Sequence, residues 1–386
     1  MANATDLSSP EIVSAQTVVD LPSGTIEPKA ITRLDDGWIV VGDSTQTKRA
    51  WAGRVNDHGI IQWEYVRELL DDDKQAFAMT VTHPWFRSVL SLSDGSVFLC
   101  GGMPRRTSGK PPSTAFFTKL DPRGKLVSES FVALAGKHRE RMTAVNGCAS
   151  WKNHIVVVGC VGPDDLGKFD FDYWVRLLDN DGKLIWERIL NPSKSNPLVA
   201  FEGLSIAQYG DRIVFSGTDN TGTDVFSLSA SGDLISTYST QGRYLLVQNE
   251  DPWGSIHLYG SYFSGKEITS NLLTLDAALV ETGRSRSIDH DVFSARSVFR
   301  TPDGSLVAFG SDRIRQPTIP VAAVRHLSAD LGSQTIAEIP GVPDSFDDGD
   351  IRAATRSPRY PDFGIAMPVV SRHQHHGFSI YGITVK

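Results

Sequence analysis

A short apolar run that ends in glycine, with a turn signal just ahead of it, recurs along this chain. It reads Asp36-Gly37-Trp38-Ile39-Val40-Val41-Gly42, then Asp94-Gly95-Ser96-Val97-Phe98-Leu99-Cys100-Gly101. It returns as Asn153 to Gly159, Asp211 to Gly217, Gly254 to Gly260 and Gly304 to Gly310, with a weaker copy from Asp362 to Met367. The closing glycines are 59, 58, 58, 43 and 50 residues apart, and 56 more reach Ala366 in the last copy. Self-similarity at this period means stacked units or a propeller rather than unrelated domains.

Each unit holds four strand-like pieces. A first run, such as Ala30 to Leu34 or Ser88 to Leu92, precedes the glycine-ended run across a tight-turn signal. After a loop of variable length comes a third run, such as Ala50 to Val55 or Tyr173 to Leu178. A second turn (Asn56 to Gly59, Asp121 to Gly124, Asp179 to Gly182, Ser229 to Gly232) leads to a fourth, such as Ile60 to Tyr65 or Leu184 to Ile189. Apolar residues run at strand length between turn signals, so extended amphipathic helix is not expected. The expected fold is all-β: a seven-bladed β-propeller of four-stranded antiparallel blades in a single domain over 1–386. The blades are placed at about 29–66, 86–133, 142–190, 202–239, 243–283, 295–339 and 351–386, the last completed by 13–22. Phe378 to Val385 reads as a third strand with no fourth behind it, while Ala15 to Leu21 is a spare strand at the start. Pairing the two would close the ring and remove an open sheet edge.

The string Leu178-Asp179, Gly182 and Trp186 resembles quinoprotein-type propeller repeats, and Val55 to Trp63 is a looser copy with Gly59 and Trp63 again four apart. Similar Asp-Gly, Val-x-Gly and Gly-x-x-x-Trp repeats occur in uncharacterised bacterial propellers. The resemblance implies architecture. No residue set for holding pyrroloquinoline quinone recurs, so that cofactor does not transfer and no cofactor is expected. Fold alone does not assign activity.

Forty per cent hydrophobic and 22% charged residues suit a folded, water-soluble chain rather than a disordered one. No apolar run approaches the roughly 18 residues of a membrane span. A net charge of −7 argues against nucleic acid as partner, since a phosphate-backbone binder carries a basic stripe. Cys100, Cys148 and Cys160 form no disulfide framework. Cys148 and Cys160 share a hairpin whose turn near Trp151 sets Cys148 opposite Ile155, out of register with Cys160; all three read as small buried hydrophobes. Met1 to Pro10 lacks the basic and apolar regions of a secretory signal, so the expected location is cytoplasmic, or periplasmic if a leader was removed. A monomer is expected.

In such blades the second-to-third-strand loops and the inter-blade loops leave on one face, and the tight hairpins on the other. The loops on the first face are long: 43–49, 102–114, 161–172, 218–224, 261–271, 311–320 and 368–377, joined by 68–87, 135–141, 191–201, 284–295 and 339–350 between blades. Long loops on a rigid scaffold carry recognition. Positive residues there include Arg105, Arg106, Lys110, Lys137, Arg139, Arg141, Arg313, Arg315 and Arg372; negative ones include Asp71 to Asp73, Asp164, Asp165, Asp347, Asp348 and Asp350. Interspersed signs suit a protein partner. Trp85, Phe86, Phe169, Phe171, Tyr262 and Phe263 lie in or beside the loops, and aromatics with arginines are the usual anchors of such contacts. The alternative for these aromatics is capping the blades' ends, and for the charges plain solvation. Trp63 and Trp186 are expected to pack between blades.

Arg372 to Gly377 contains His373 and His375, two apart and on one face if extended. They are candidate zinc or copper ligands that need a third or fourth donor from another loop. Asp344 to Gly349 is similar to a calcium loop, but Phe346 and Thr355 stand where oxygen ligands belong. A nucleophile elbow, phosphate loop and dinucleotide fingerprint are absent from the sequence. The expected function is a non-enzymatic scaffold binding a protein through its long-loop face, with a bacterial toxin-neutralising immunity or inhibitor protein as a special case. The alternatives are a hydrolase or lyase with its site at the mouth of a central channel, and a lectin with equivalent pockets between blades.

Overall fold

The computed structural model describes the chain outside residues 1–11, 22–25, 45–46, 69–83, 105–112, 135–140, 142, 163–171, 192–201, 219–221, 248–254, 265–266, 290–292, 302–303, 313–320, 329–333, 340–352, 357–361, 369–376 and 386. Every regular element among the described residues is a β-strand, and the strands form four-stranded antiparallel sheets. The first blade is Glu27–Leu34, Gly37–Ser44, Arg49–Asn56 and Ile61–Arg67; the second is Trp85–Ser91, Val97–Pro104, Ser113–Leu120 and Leu126–Phe131. The third is Thr143–Trp151, His154–Val161, Asp172–Leu178 and Leu184–Leu190; the fourth is Glu202–Tyr209, Arg212–Thr218, Gly222–Leu228 and Leu234–Gln241. The fifth is Arg243–Leu246, Ile256–Ser264, Glu267–Leu275 and Glu281–Asp289; the sixth is Phe293–Arg300, Leu306–Asp312, Val321–Leu327 and Gln334–Glu338. Hydrogen bonding follows chain order inside each blade.

The chain divides into two compact units. One, Thr17–Leu204 with Pro368–Ile380, holds the first three blades; the other, Ser205–Met367 with both ends of the chain, holds the next three, apart from the first residues of Glu202–Tyr209. Six blades of consecutive strands are thus formed, rather than the expected seven. The remaining strands make a sheet of different build, in the order Ile12–Asp20, Gly377–Val385, Asp362–Pro368, Ala353–Arg356, and the division between the units runs through it.

Burial explains why the second and third strands read as unbroken apolar runs. Gly37–Ser44 is buried at all eight positions and His154–Val161 at all but its first. A strand covered on both faces has no polar side to alternate with. Fourth strands are covered least, and Leu126–Phe131 and Leu234–Gln241 are mostly exposed.

Among the described residues, the turn before the fourth strand is one five-residue design in five blades. In 179–183, Asp179 N donates to the Lys183 carbonyl and Gly182 N to the Asp179 carbonyl, both at 2.9 Å. The Asp179 carboxylate accepts from the amides of Asp181 (2.9 Å) and Lys183 (2.8 Å). This is the Asx turn that short polar side chains favour. Asn56, Asp121 and Asp276 repeat it, and Ser229 keeps the amide bond from Asp233. The fourth position needs φ near +80°, which Gly182 supplies without strain; in the fifth blade Leu279 takes it at 61°, with its side chain buried in the blade's core. The short 43-residue step of the repeat also has a local cause. A single residue, Gly242 (φ 97°), joins the fourth blade's last strand to the fifth blade's first.

Candidate functional site

Most of the expected binding residues lie outside the described residues: Arg105, Arg106, Phe169, Phe171, Arg313, Arg315 and Arg372, with the candidate metal ligands His373 and His375. The segment Asp344 to Gly349 lies there as well. Tyr262 and Phe263 are described in backbone only. They belong to the strand Ile256–Ser264, opposite Thr269 and Ile268, not to a loop; what was read as the loop 261–271 is mostly sheet.

Trp85 and Phe86 open the second blade and point to opposite sides of it. Phe86 is fully buried, 6.3 Å from the Tyr65 ring and 5.5 Å from Phe116. That corrects its assignment as a surface anchor, because core packing already occupies its ring. Trp85 is only partly buried. It sits opposite Gly102, where an added Cβ would fall 2.3 Å from the indole Cζ2; on Gly101 a Cβ would fall 2.1 Å from the Trp85 carbonyl oxygen. The pair Gly101-Gly102 is thus a seat for Trp85. In sequence this indole follows 69–83 after Pro84 alone, and the strand beneath it ends at Pro104, just before 105–112.

Arg141, expected among the loop charges, is instead a buried brace. It donates to Asp172 Oδ2 (2.5 Å) and to the carbonyls of Gly162 (2.5 Å) and Val161 (3.2 Å). Other described charges are likewise engaged in blade construction. Lys119 of the second blade donates to the Asn180 carbonyl (2.8 Å) and the Asp181 carboxylate (2.9 Å) in the third blade's turn. Arg67 of the first blade pairs with Glu129 of the second at 2.8 Å. Tyr65, beside that pair, has its hydroxyl pushed up to about 12, by burial first and then by Glu129.

Trp63 packs across a blade boundary, against the second blade's turn: a Cβ on Gly124 would meet its ring at 2.5 Å. The residue after each repeat tryptophan has a role that sequence reasoning missed. Glu64 accepts from Trp51 Nε1 (3.2 Å), and Glu187 accepts from Trp174 Nε1 (2.9 Å) and Arg176 Nε (2.6 Å). The signal was present as Trp63-Glu64 and Trp186-Glu187, with each glutamate opposite a third-strand residue (Gly53, Arg176) two past the tryptophan it accepts from.

In the fifth and sixth blades, Arg300 donates to His257 Nε2 (2.7 Å) while Nδ1 faces Thr274 Oγ1 (3.3 Å). Burial and the adjacent guanidinium hold His257 down at about 4, so it is neutral and accepts at Nε2. Among the described residues no group of three His, Cys, Asp or Glu could hold a metal ion. No helix among them is long and apolar enough to cross a membrane.

The described surface has one repeated apolar feature. Ile60, Leu126, Val127, Leu184, Ile185, Leu234, Ile235 and Val280 are 44–61% exposed, and all stand at the turn-proximal start of a fourth strand.

No family model and no curated protein matches the chain. Solved structures do. The WD40 domain of Toxoplasma gondii coronin aligns with a TM-score of 0.54 at 8% identity, covering 98% of this chain and 87% of that one. The Dos1 propeller aligns at 0.51 and 9% identity over 96% and 95%, and the polysaccharide lyase Uly1 at 0.53 and 10% over 95% and 91%. At such identities the likeness concerns the fold alone. The fold it shows is an all-β propeller of four-stranded antiparallel blades.

Proposed function

We propose that this propeller is a non-enzymatic scaffold that binds a protein partner through its long-loop face. The observation that carries the reading is Trp85. Its partly exposed indole is seated on Gly101-Gly102, next in sequence to 69–83 and close to 105–112 with Arg105 and Arg106. An aromatic held rigidly by glycines loses little freedom on binding, and aromatic-arginine clusters dominate contact energies. The carboxylates and guanidiniums described above are bound up in blade construction, which supports a scaffold more than a reaction centre.

Phe378 of the terminal sheet meets Trp51 of the first blade edge-on at 5.4 Å. A toxin-neutralising role is the special case in which an acidic scaffold of charge −7 covers a basic active site.

The test is affinity capture from host lysate with three baits: the wild type, Trp85→Ala/Arg105→Ala/Arg106→Ala, and Leu184→Lys/Ile185→Lys. The reading requires a specific protein held by the wild type and the Lys variant and lost by the triple variant. Retention of every specific partner by the triple variant would count against the long-loop face.

A further inference from the structure

Three polar side chains from two adjacent blades converge at the seam between the second and third. Ser88 and Cys100 face each other as register partners on the second blade's first two strands. Cys148 comes from the first strand of the third blade. Its backbone amide donates to Ser88 Oγ at 3.0 Å, and its thiol donates to the same oxygen at 3.3 Å. Cys100 is fully buried in the apolar cluster of Leu92, Phe98, Phe117 and Trp174, and Cys148, only partly buried, packs against that cluster. Cys148 therefore lies against Ser88, the register partner of Cys100.

The sequence hid this pair. The hairpin containing Cys148 and Cys160 turns at Lys152-Asn153, so Cys148 stands opposite Val157 rather than Ile155, and Cys160 stands opposite Ala144. Cys160 is alone in this respect: burial pushes its thiol up to about 12.

We propose that Cys100 and Cys148 form a redox-modification site, at which hydrogen peroxide oxidises the two thiols to a disulfide that staples the second blade to the third. The chemistry divides between them. Once ionised, the Cys148 sulfur accepts from the Cys100 thiol and the Ser88 hydroxyl, which holds it below the usual thiol range, whereas burial raises Cys100 well above it. Cys148 is the more exposed and the more readily ionised, so its thiolate attacks one peroxide oxygen. The O–O bond breaks, leaving a sulfenic acid on Cys148 and one water after protonation. The Cys100 sulfur then attacks the Cys148 sulfur. The S–O bond breaks, and the departing hydroxide takes up the Cys100 proton as a second water. Two thiols lose two electrons and one peroxide gains them.

The test is intact-mass and tryptic-peptide mass spectrometry of the folded full-length chain, treated with hydrogen peroxide, alkylated and left unreduced. The expected result is a mass lower by two hydrogen atoms and a cross-link between peptides 88–105 and 142–152. Peptide 153–168, which carries Cys160, stays alkylatable only after unfolding. Dithiothreitol reverses the cross-link. The oxidised wild type also melts several degrees above the reduced form, because the bridge restricts the unfolded chain. In Cys100→Ser the cross-link is lost and Cys148 accumulates sulfinic acid. Should that variant fold poorly, the wild-type peptide map and the reductant-reversible melting shift decide alone. Two free thiols after excess peroxide, Cys148 overoxidised beside an intact Cys100 in the wild type, or a bridge made only between chains would each overturn the proposal.

Discussion

Arg176 in the third blade and Arg325 in the sixth stand at the same register position, each two residues past the partner of its blade's motif glycine. Both are buried, Arg325 completely. Their surroundings differ because the fourth strand across from them differs. Arg176 faces Glu187 and bonds to it inside its own blade, with a further bond to the Ala133 carbonyl of the preceding blade (2.8 Å). Arg325 faces Ile336. Its guanidinium reaches to the preceding blade, to Ser270 Oγ (3.0 Å) and the Tyr259 hydroxyl (3.3 Å), and lies 4.7 Å from the centre of the Phe293 ring. The same cation in the same slot thus reaches the preceding blade in both cases, but only in the first is it also paired with a carboxylate of its own blade. What decides is a single residue on a neighbouring strand.

Substitutions can break this comparison. The largest effect is expected for Trp174→Ala, which empties a fully buried site stacked on Phe117 and releases Glu187. Large-to-small changes of this kind cost roughly 4 kcal/mol, read from the midpoint of a urea unfolding curve. Glu187→Ile gives the third blade the residue type that the sixth carries. It strands Arg176 and Trp174 together, and the same measurement should show a loss of about 3 kcal/mol. Arg325→Met keeps the volume and loses the bonds across the seam and the cation over Phe293, so about 1.5 kcal/mol is expected, less than for Glu187→Ile. If Arg325→Met proves the more harmful, the cation without a carboxylate partner matters more than the paired one.

His257 sharpens the contrast through pH. Its folded value of about 4 lies below the ordinary 6.5, so the unfolded chain binds more protons between those limits. Its contribution to stability is full above about 6.5 and is lost as pH falls towards 4. Melting temperatures of the wild type should decline over that interval more steeply than those of His257→Gln. The smallest effect is expected for Leu184→Lys/Ile185→Lys. Both positions are nearly half exposed, and exposed changes stay within about 0.5 kcal/mol.

Turns and blade strands were legible before any coordinates. Asp179 and Gly182 announce an Asx turn within five residues, and Gly37–Ser44 announces a strand covered on both faces. The candidate site was less legible. Trp85 and Phe86 are adjacent and chemically alike, and only the neighbouring strands put Phe86 against Phe116 and Trp85 over Gly102. Arg141 looked like a loop charge because Asp172, which holds it, lies 31 residues away.

By itself, then, the sequence determined the repeating unit: apolar runs of strand length, the turn chemistry between them and their order along the chain. These rest on interactions among residues a few positions apart, which spacing alone exposes. Only the tertiary structure decided which residues meet at the seams. Ser88 with Cys148, Lys119 with Asp181, and Tyr259 with Arg325 are separated by 60, 62 and 66 residues. Their contacts depend on how one sheet packs against the next, and no local pattern carries that geometry.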